Sequence, residues 1–571
     1  MLVLLAAVGL LLLAAPVHGL RRADAAVSNA TSATRVQALP GLAAGGMKSA
    51  HYAGHVEVDT TNNGRLFYWL VEAEVKDPTT APLTIWLNGG PGCTSMLGLF
   101  MECGPFHIEA DLTLSRNEYG WQKTSNVLFV DQPVGTGLST LGTRAYPSSG
   151  AAVAAHFYTF LLGFLQQHPE YVHGLVSRPI YFFGESHAGR WIPQFYSHIA
   201  TENARNTHGL QIQIHGAGIG NGWVHPLIQY DYSGFAHGLG LISLGQMRTL
   251  QTKFTVCTDA IARGVYHDAA CFANLDSIMD SVRGNVPLNF YDVRAYGSSN
   301  EYPPAKERIS AYLDQPEVRK ALHVESNTQP FEQCNYDVYG ALGHEDAVST
   351  LHDVDAMLRD GVDVLFFNGQ WDMMCNAFNT ERVLYELQWP GRDDFKAAER
   401  YTWRVKGHDV PAGFVQTGGN LTFAIVSGAG HMVPYDVPLA ALDLFTRFVQ
   451  RVPFTDTRQE ISVPTYWNAT AEAACDLGVR ASETSTMWHA LVLLAALSSG
   501  LVATLLTLFY MRSGRRRRPP AILVEVDDED DEDDGRHVTE DDLESDWDDA
   551  MVEMEELTKE SRQRKTTSSD K

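Results

Sequence analysis

The chain has 571 residues, 68 acidic against 43 basic, for a formal net charge of −25. That balance excludes a general nucleic-acid binder, which needs a basic face, and 48 glycines without a three-residue period exclude a collagen-like fibre. A hydrophobic fraction of 45% with 11 tryptophans suffices for a large core, and no repeat has solenoid or propeller spacing.

Met1–Ala15 is almost wholly aliphatic and gives way to Pro16 and small residues around Gly19. It reads as a secretory signal peptide over residues 1–19, too short to span a bilayer. Residues 20–46, rich in Ala, Ser and Thr, are expected to form an irregular arm, and residues 47–468 the main folded domain. Short apolar alternations predict strands at His55–Asp59, Leu66–Val71, Leu83–Leu87 and Val127–Val130. Within Gly150–His168, Val153, Phe157, Phe160, Leu161, Phe164 and Leu165 recur at helical spacing, the stripe of an amphipathic helix. Ile180–Phe183 and Ile212–Ile219 read as strands, with a helical stretch after Ser186 between them. Strands alternating with helices imply an α/β fold whose mainly parallel sheet is covered on both faces. Residues 223–339 break the rhythm and read as a cap inserted over the sheet. The alternation resumes with Val362–Phe367, a helix from about Thr380, Leu421–Val426 and a closing helix Ala440–Val449.

Beyond a stalk at 469–487, residues 488–511 read as a membrane span. Ala490–Tyr510 is free of charge, and its 21 residues at ~1.5 Å rise make about 31 Å of helix, the thickness of a hydrocarbon core. Trp488 and Tyr510 sit at its edges, and Arg512 and Arg515–Arg518 follow, so the positive-inside rule places the C-terminus in the cytosol. The tail, residues 512–571, holds 21 acidic and 11 basic residues and is expected to be disordered; sorting adaptors are its candidate partners. Sequons at Asn29, Asn420 and Asn468 and seven cysteines agree with a lumenal domain. No paired C-x₂-C or H-x₃-H spacing suggests zinc, and neither metal nor cofactor is expected.

Three motifs each follow a predicted strand. Gly184-Glu185-Ser186-His187-Ala188-Gly189 has small residues two before and two after a serine, which permits a sharp strand-to-helix turn exposing the hydroxyl. Asn368-Gly369-Gln370-Trp371-Asp372 brings a carboxylate to a strand's end, and Ser427-Gly428-Ala429-Gly430-His431-Met432 brings an imidazole in a glycine-rich loop. Ser186, Asp372 and His431 thus occur in the chain order of α/β-hydrolases. Asn88-Gly89-Gly90-Pro91-Gly92 follows Leu83–Leu87 where such folds place an oxyanion loop; the N–H groups of Gly90 and His187 are the candidate donors.

Trp86–Cys93, Glu102–Phe106, Asn126–Gly137, Gly184–Gly189 and Gly430–Pro434 resemble the serine carboxypeptidase family, a similarity that covers roughly His51 to Val449. With the signal peptide, span and acidic tail, the chain is most similar to its Kex-type, pheromone-processing branch. The resemblance implies Ser186 as nucleophile, His431 as base and then acid, and Asp372 as orienting carboxylate. It implies Asn88, Gly89, Glu102 and Glu185 as the site for a substrate's C-terminal carboxylate. Two neighbouring glutamates cannot both ionise cheaply, so they are expected to share a proton and favour an acidic lumen. His187 stands where the family usually has Tyr; it, Cys375 and Met432 are candidate pocket-lining residues. The family pattern pairs Cys93 with Cys334; Cys257 with Cys271 is expected as a local bridge, leaving Cys103 and Cys475 unassigned. The implied activity is removal of C-terminal Lys or Arg from peptide precursors in the late Golgi. A broad-specificity degradative carboxypeptidase, a related acyltransferase and an inactive partner-binding hydrolase fold are the competing readings.

Overall fold

The computed structural model describes residues 34–456, apart from 144, 267–268, 282–287, 298–301 and 325–328, all within the first of two compact units, Met1–Thr470. Its strands are β1 (Arg35–Val36), β2 (His51–Asp59), β3 (Gly64–Val71), β4 (Leu83–Leu87), β5 (Phe106–Ile108), β6 (Leu114–Arg116), β7 (Asn126–Asp131) and β8 (Val172–His173). They continue with β9 (Val176–Ser177), β10 (Ile180–Glu185), β11 (Ile214–Gly220), β12 (Asp363–Gly369), β13 (Tyr401–Trp403), β14 (Gly413–Gly418) and β15 (Leu421–Val426). Eleven of them form one sheet in the order β1-β2-β3-β7-β4-β10-β11-β12-β15-β14-β13.

Only the centre, β7 through β15, is parallel; both edges are antiparallel. The expectation of a mainly parallel sheet is corrected to a mixed one: short turns join β2 to β3 and β14 to β15 as hairpins, and β3 meets β7 antiparallel, whereas a parallel pair needs a long crossover. At the β2–β3 turn, Asp59 accepts from the Thr61 and Asn62 N–H groups.

Period-two alternation sends each central strand into two cores. In β10, Ile180 and Phe182 face one and Tyr181 and Phe183 the other. The first core is covered by the helices Gly150–Gln167, Ala188–Arg205 and Leu351–Arg359. The second is covered by Pro438–Gln450, where the Phe445 and Trp121 rings stack 4.1 Å apart. The arm is not irregular throughout: β1 pairs with β2, and Val36 and Leu39 are buried in the second core.

The insertion after β11 runs further than expected. Its own apolar cluster extends from Trp223 to Ala347 and takes in Met373 and Cys375. Cys257 and Cys271 are bridged within it. Among the described residues no helix is long and apolar enough to cross a membrane. Segments 1–19 and 488–511, the acidic tail, Asn29, Asn468 and Cys475 lie outside them.

Candidate active site

Parallel strands carry their C-terminal ends to one edge of a sheet, so loops after β4, β10, β12 and β15 converge. Ser186 follows β10 at φ +60°, donates its N–H to Gly220 O at 3.0 Å and accepts from the Trp223 N–H at 2.9 Å. A Cβ on Gly184 would fall 2.3 Å from Leu87 O, so the turn needs a glycine there. Ala188 is fully buried and serves where the usual hydrolase pattern has a second glycine.

Asp372 is buried, and its Oδ2 lies 2.8 Å from His431 Nδ1. The Asn221 amide (2.7 Å) and the Cys375 N–H (3.1 Å) donate to the same oxygen, and the Met374 N–H (2.9 Å) to Oδ1. A carboxylate with these donors holds one ring nitrogen and leaves Nε2 for a proton from Ser186. Ser186 and His431 lie on the wall of one cavity of about 290 Å³; among the described residues no hydrogen bond joins them, a looseness common before substrate binds.

The oxyanion loop closes against the elbow. A Cβ on Gly89 would sit 2.6 Å from His187 N and 2.8 Å from Ser186 Cβ, an approach that only glycine permits. Among the described residues neither the Gly90 nor the His187 N–H has a partner, which leaves both for an oxyanion. The loop is anchored below by Asp131, which accepts from Thr94 Oγ1 (2.6 Å), Ser95 N–H (2.9 Å) and Leu138 N–H (2.8 Å). The Cys93–Cys334 disulfide ties it to the insertion.

Asn88 orients a third group. Its Oδ1 accepts from Trp86 Nε1 at 2.7 Å and the Gly98 N–H at 3.0 Å, so its amide must turn to Glu102 (3.1 Å) and Glu185 (2.9 Å). Both glutamates are buried. Burial pushes Glu102 up to about 7, and burial together with the Glu102 charge raises Glu185 well above the carboxylate range. Each keeps one buried oxygen without a partner among the described residues. Protonated, the pair, held in place by the Asn88 amide, can present donors to a carboxylate; ionised, it repels one.

Of the three candidate lining residues only Met432 is on the cavity wall. His187 and Cys375 are buried beside it: His187 turns to Asp346 at 2.8 Å and Cys375 joins the apolar cluster of the insertion. Burial, then the Asp372 charge, raises the Cys375 thiol well above its usual range, so it carries no thiolate reactivity. Cys103 is also buried and unpaired. The sequence reading missed Asn221, Tyr291, Lys306 and Asp346. Tyr291 O accepts the His431 N–H at 2.8 Å, its ring lies 4.9 Å from the imidazole, and it lines the cavity with Tyr302 and Lys306. Asn221 had a signal, a Gly-Asn-Gly run directly after a predicted strand; the others had none.

A mixed sheet with helices on both faces, a strained serine between strand and helix, and an Asp–His pair at the sheet's edge define a serine hydrolase of α/β-hydrolase type. Residues 40–451 match the serine carboxypeptidase family. The pheromone-processing carboxypeptidase KEX1 of Phytophthora infestans (strain T30-4) is 47% identical over 445 residues, 76% of this chain and 74% of that one. The corresponding kex1 of Penicillium rubens is 34% identical over 435 residues, 73% of this chain and 70% of that one. The crystal structure of Kex1(delta)p, a prohormone-processing carboxypeptidase from Saccharomyces cerevisiae, superposes with a TM-score of 0.68 at 26% identity, covering 74% of this chain and 96% of that one. The chain belongs to the serine carboxypeptidase family.

Proposed function

We propose that this carboxypeptidase removes C-terminal Lys or Arg from processed peptide precursors through a Ser186 acyl-enzyme. The observation that carries exopeptidase action is the Asn88 amide held between two buried glutamates beside Ser186, a receptor for a free carboxylate. The basic preference is supported by the pheromone- and prohormone-processing relatives. Asn88, Gly89, Glu102 and Glu185 seat the substrate's C-terminal carboxylate and bring the last peptide carbonyl over Ser186. His431 takes the Ser186 proton as Oγ bonds to that carbonyl carbon, and the oxyanion is held by the Gly90 and His187 N–H groups. The C–N bond then breaks and His431 gives the proton to the departing amine. Water, deprotonated by His431, hydrolyses the acyl-enzyme, while Asp372 keeps the imidazole oriented throughout.

The same proposal places the catalytic unit, residues 47–468, in the lumen of the trans-Golgi network as a type I protein. It has a signal peptide at 1–19, an arm at 20–46, a stalk at 469–487, a span at 488–511 and a cytosolic tail that binds sorting adaptors. Two disulfides support an oxidising compartment. The test is release of Lys, Arg, Leu or Phe from blocked dipeptides, and from their amides, by the full chain at mildly acidic pH. Rapid Lys and Arg release, lost in Ser186→Ala and in the amides, is expected. Faster Leu or Phe release overturns the basic preference, and no release in any substrate overturns the enzyme.

A further inference from the structure

The loop that carries His431 is rich in glycine, with Gly428 at φ +79° and Gly430 either side of Ala429, so its own backbone gives it little rigidity. It is held from outside instead. Gly428 O accepts from Arg294 Nη1 at 2.7 Å, the Gly430 N–H donates to Asp436 Oδ2 at 2.6 Å, and the His431 N–H donates to Tyr291 O at 2.8 Å. Tyr291 and Arg294 belong to one loop of the insertion, residues 289–295. That loop is closed on itself by the Asn289 N–H, which donates to Ala295 O at 3.0 Å, and by the pairing of Leu288 with Tyr296.

The same loop grips the end of β12. Phe290 O accepts from the Met373 and Met374 N–H groups at 3.0 and 3.2 Å, and the Val293 N–H donates to Trp371 O at 3.0 Å, so Asp372 is bracketed on both sides. Contact with the His431 loop is close: a Cβ on Gly430 would fall 2.5 Å from Tyr291 O and 2.8 Å from Asp292 Cβ. Residues 289–295 therefore bridge the two loops whose side chains must stay in register, Asp372 and His431.

Arg294 fastens the bridge. Its Nε and Nη2 form a two-point pair with Asp292 at 2.9 and 2.6 Å, its Nη1 holds Gly428 O, and its Nη2 lies 3.9 Å from Asp436 Oδ2. A planar guanidinium can serve these acceptors together at fixed angles, which an ammonium cannot. Its Cζ lies 6.0 Å from the centre of the Trp371 ring, on the Asp372 loop. Asp292 and Asp436 are 8% and 11% exposed, and among the described residues Arg294 is the cation paired with both. Tyr302, on the cavity wall, donates to the same Asp436 oxygen at 3.3 Å. We propose that Arg294 is a positioning residue for the Asp372–His431 pair, locking residues 289–295 of the insertion onto the His431 loop and so fixing the imidazole against Asp372 and Ser186. The insertion is then a working part of the proton-transfer apparatus as well as a cover over the sheet. A misplacement of about 1 Å in such a group costs roughly a hundredfold in rate. The carboxylate seat at Asn88, Glu102 and Glu185 stands on other loops, so the effect belongs to kcat and not to KM.

The substrate arm of the test rests on the carboxypeptidase reading; a second arm does not. The full chain, Arg294→Ala and Arg294→Lys are assayed for release of Lys from a blocked dipeptide. They are assayed also for the rate at which diisopropyl fluorophosphate modifies Ser186, where Oγ bonds to phosphorus, fluoride leaves and His431 takes the proton. Arg294→Ala is expected to lower kcat by about ten- to a hundredfold with KM within about twofold, and to slow the modification by a similar factor. Arg294→Lys, which keeps the charge and loses the fork, should fall between the two, and it carries the test where the alanine variant does not fold. The Arg294 side chain is 39% exposed, so a small cation can reach its place. Millimolar guanidinium chloride should restore the rates of Arg294→Ala about fivefold or more, and potassium chloride at the same concentration should not. Unchanged rates in both variants overturn the inference, as does a KM that rises as far as kcat falls, or a loss that guanidinium does not relieve. A native chain modified at Ser186 that releases no Lys sinks the carboxypeptidase reading instead, and the modification rates still decide the role of Arg294.

Discussion

Replacing both Glu102 and Glu185 by Gln removes the titrating pair and keeps hydrogen-bond donors where the protonated carboxyls stood. Burial pushes Glu102 from an ordinary 4.5 to about 7, and Glu185 is raised further, by burial first and by Glu102 second. At about 1.4 kcal/mol per unit, the gap between 4.5 and 7 makes ionising Glu102 cost about 3 kcal/mol more in the fold than in the unfolded chain. The folded state holds this proton more tightly. Its contribution to stability is therefore full below pH 4.5, declines as pH rises, and is gone above pH 7. Carboxylate recognition follows the same proton: at pH 8 about one pair in ten remains fully protonated, so KM should be roughly tenfold above its acidic value. The assay is KM for a blocked dipeptide from pH 5 to 9, with chemical denaturation at the same pH values. The double variant should show a flat KM across that range and lose the native enzyme's decline in stability. A native KM that stays flat through pH 8, or a double variant that keeps the native slope, would refute the shared-proton account.

Gly89→Ala places a methyl 2.6 Å from His187 N and must push the oxyanion loop off the elbow; kcat should fall about a hundredfold or more with the fold intact by circular dichroism. The Asn420 amide donates to Leu358 O at 3.0 Å and Val362 O at 2.6 Å, so its nitrogen is committed inside the fold. Glycopeptide mapping should find Asn420 bare, and Asn420→Ala should cost about 2 kcal/mol in denaturant unfolding through two lost hydrogen bonds. Lys306 is a half-buried ammonium on the cavity wall, its pKa lowered by burial. Lys306→Leu should raise kcat/KM for a C-terminal Lys or Arg severalfold, to about tenfold, and leave C-terminal Leu less affected; equal effects on both would show that its charge is not felt by the leaving residue.

The strand positions, the two-faced sheet and the Ser186, Asp372 and His431 loops were readable along the chain, because each depends on local features: alternation, glycines and the order of turns. β4 and β15 fall where the alternation placed them, at Leu83–Leu87 and Leu421–Val426. The antiparallel edges were not legible as such, since pairing depends on which strands a hairpin can join. Neither were the side chains that orient the site. Asn221 and Asp372 are 151 positions apart and meet only because β11 and β12 lie side by side. His187 and Asp346 come from the elbow and a turn of the insertion, which folding clamps together through Arg190 and Glu345. The sequence by itself determined which groups can react, because reactivity needs particular residues on particular turns. The tertiary structure decided their protonation and what surrounds them, because burial and approaching charges belong to no single segment.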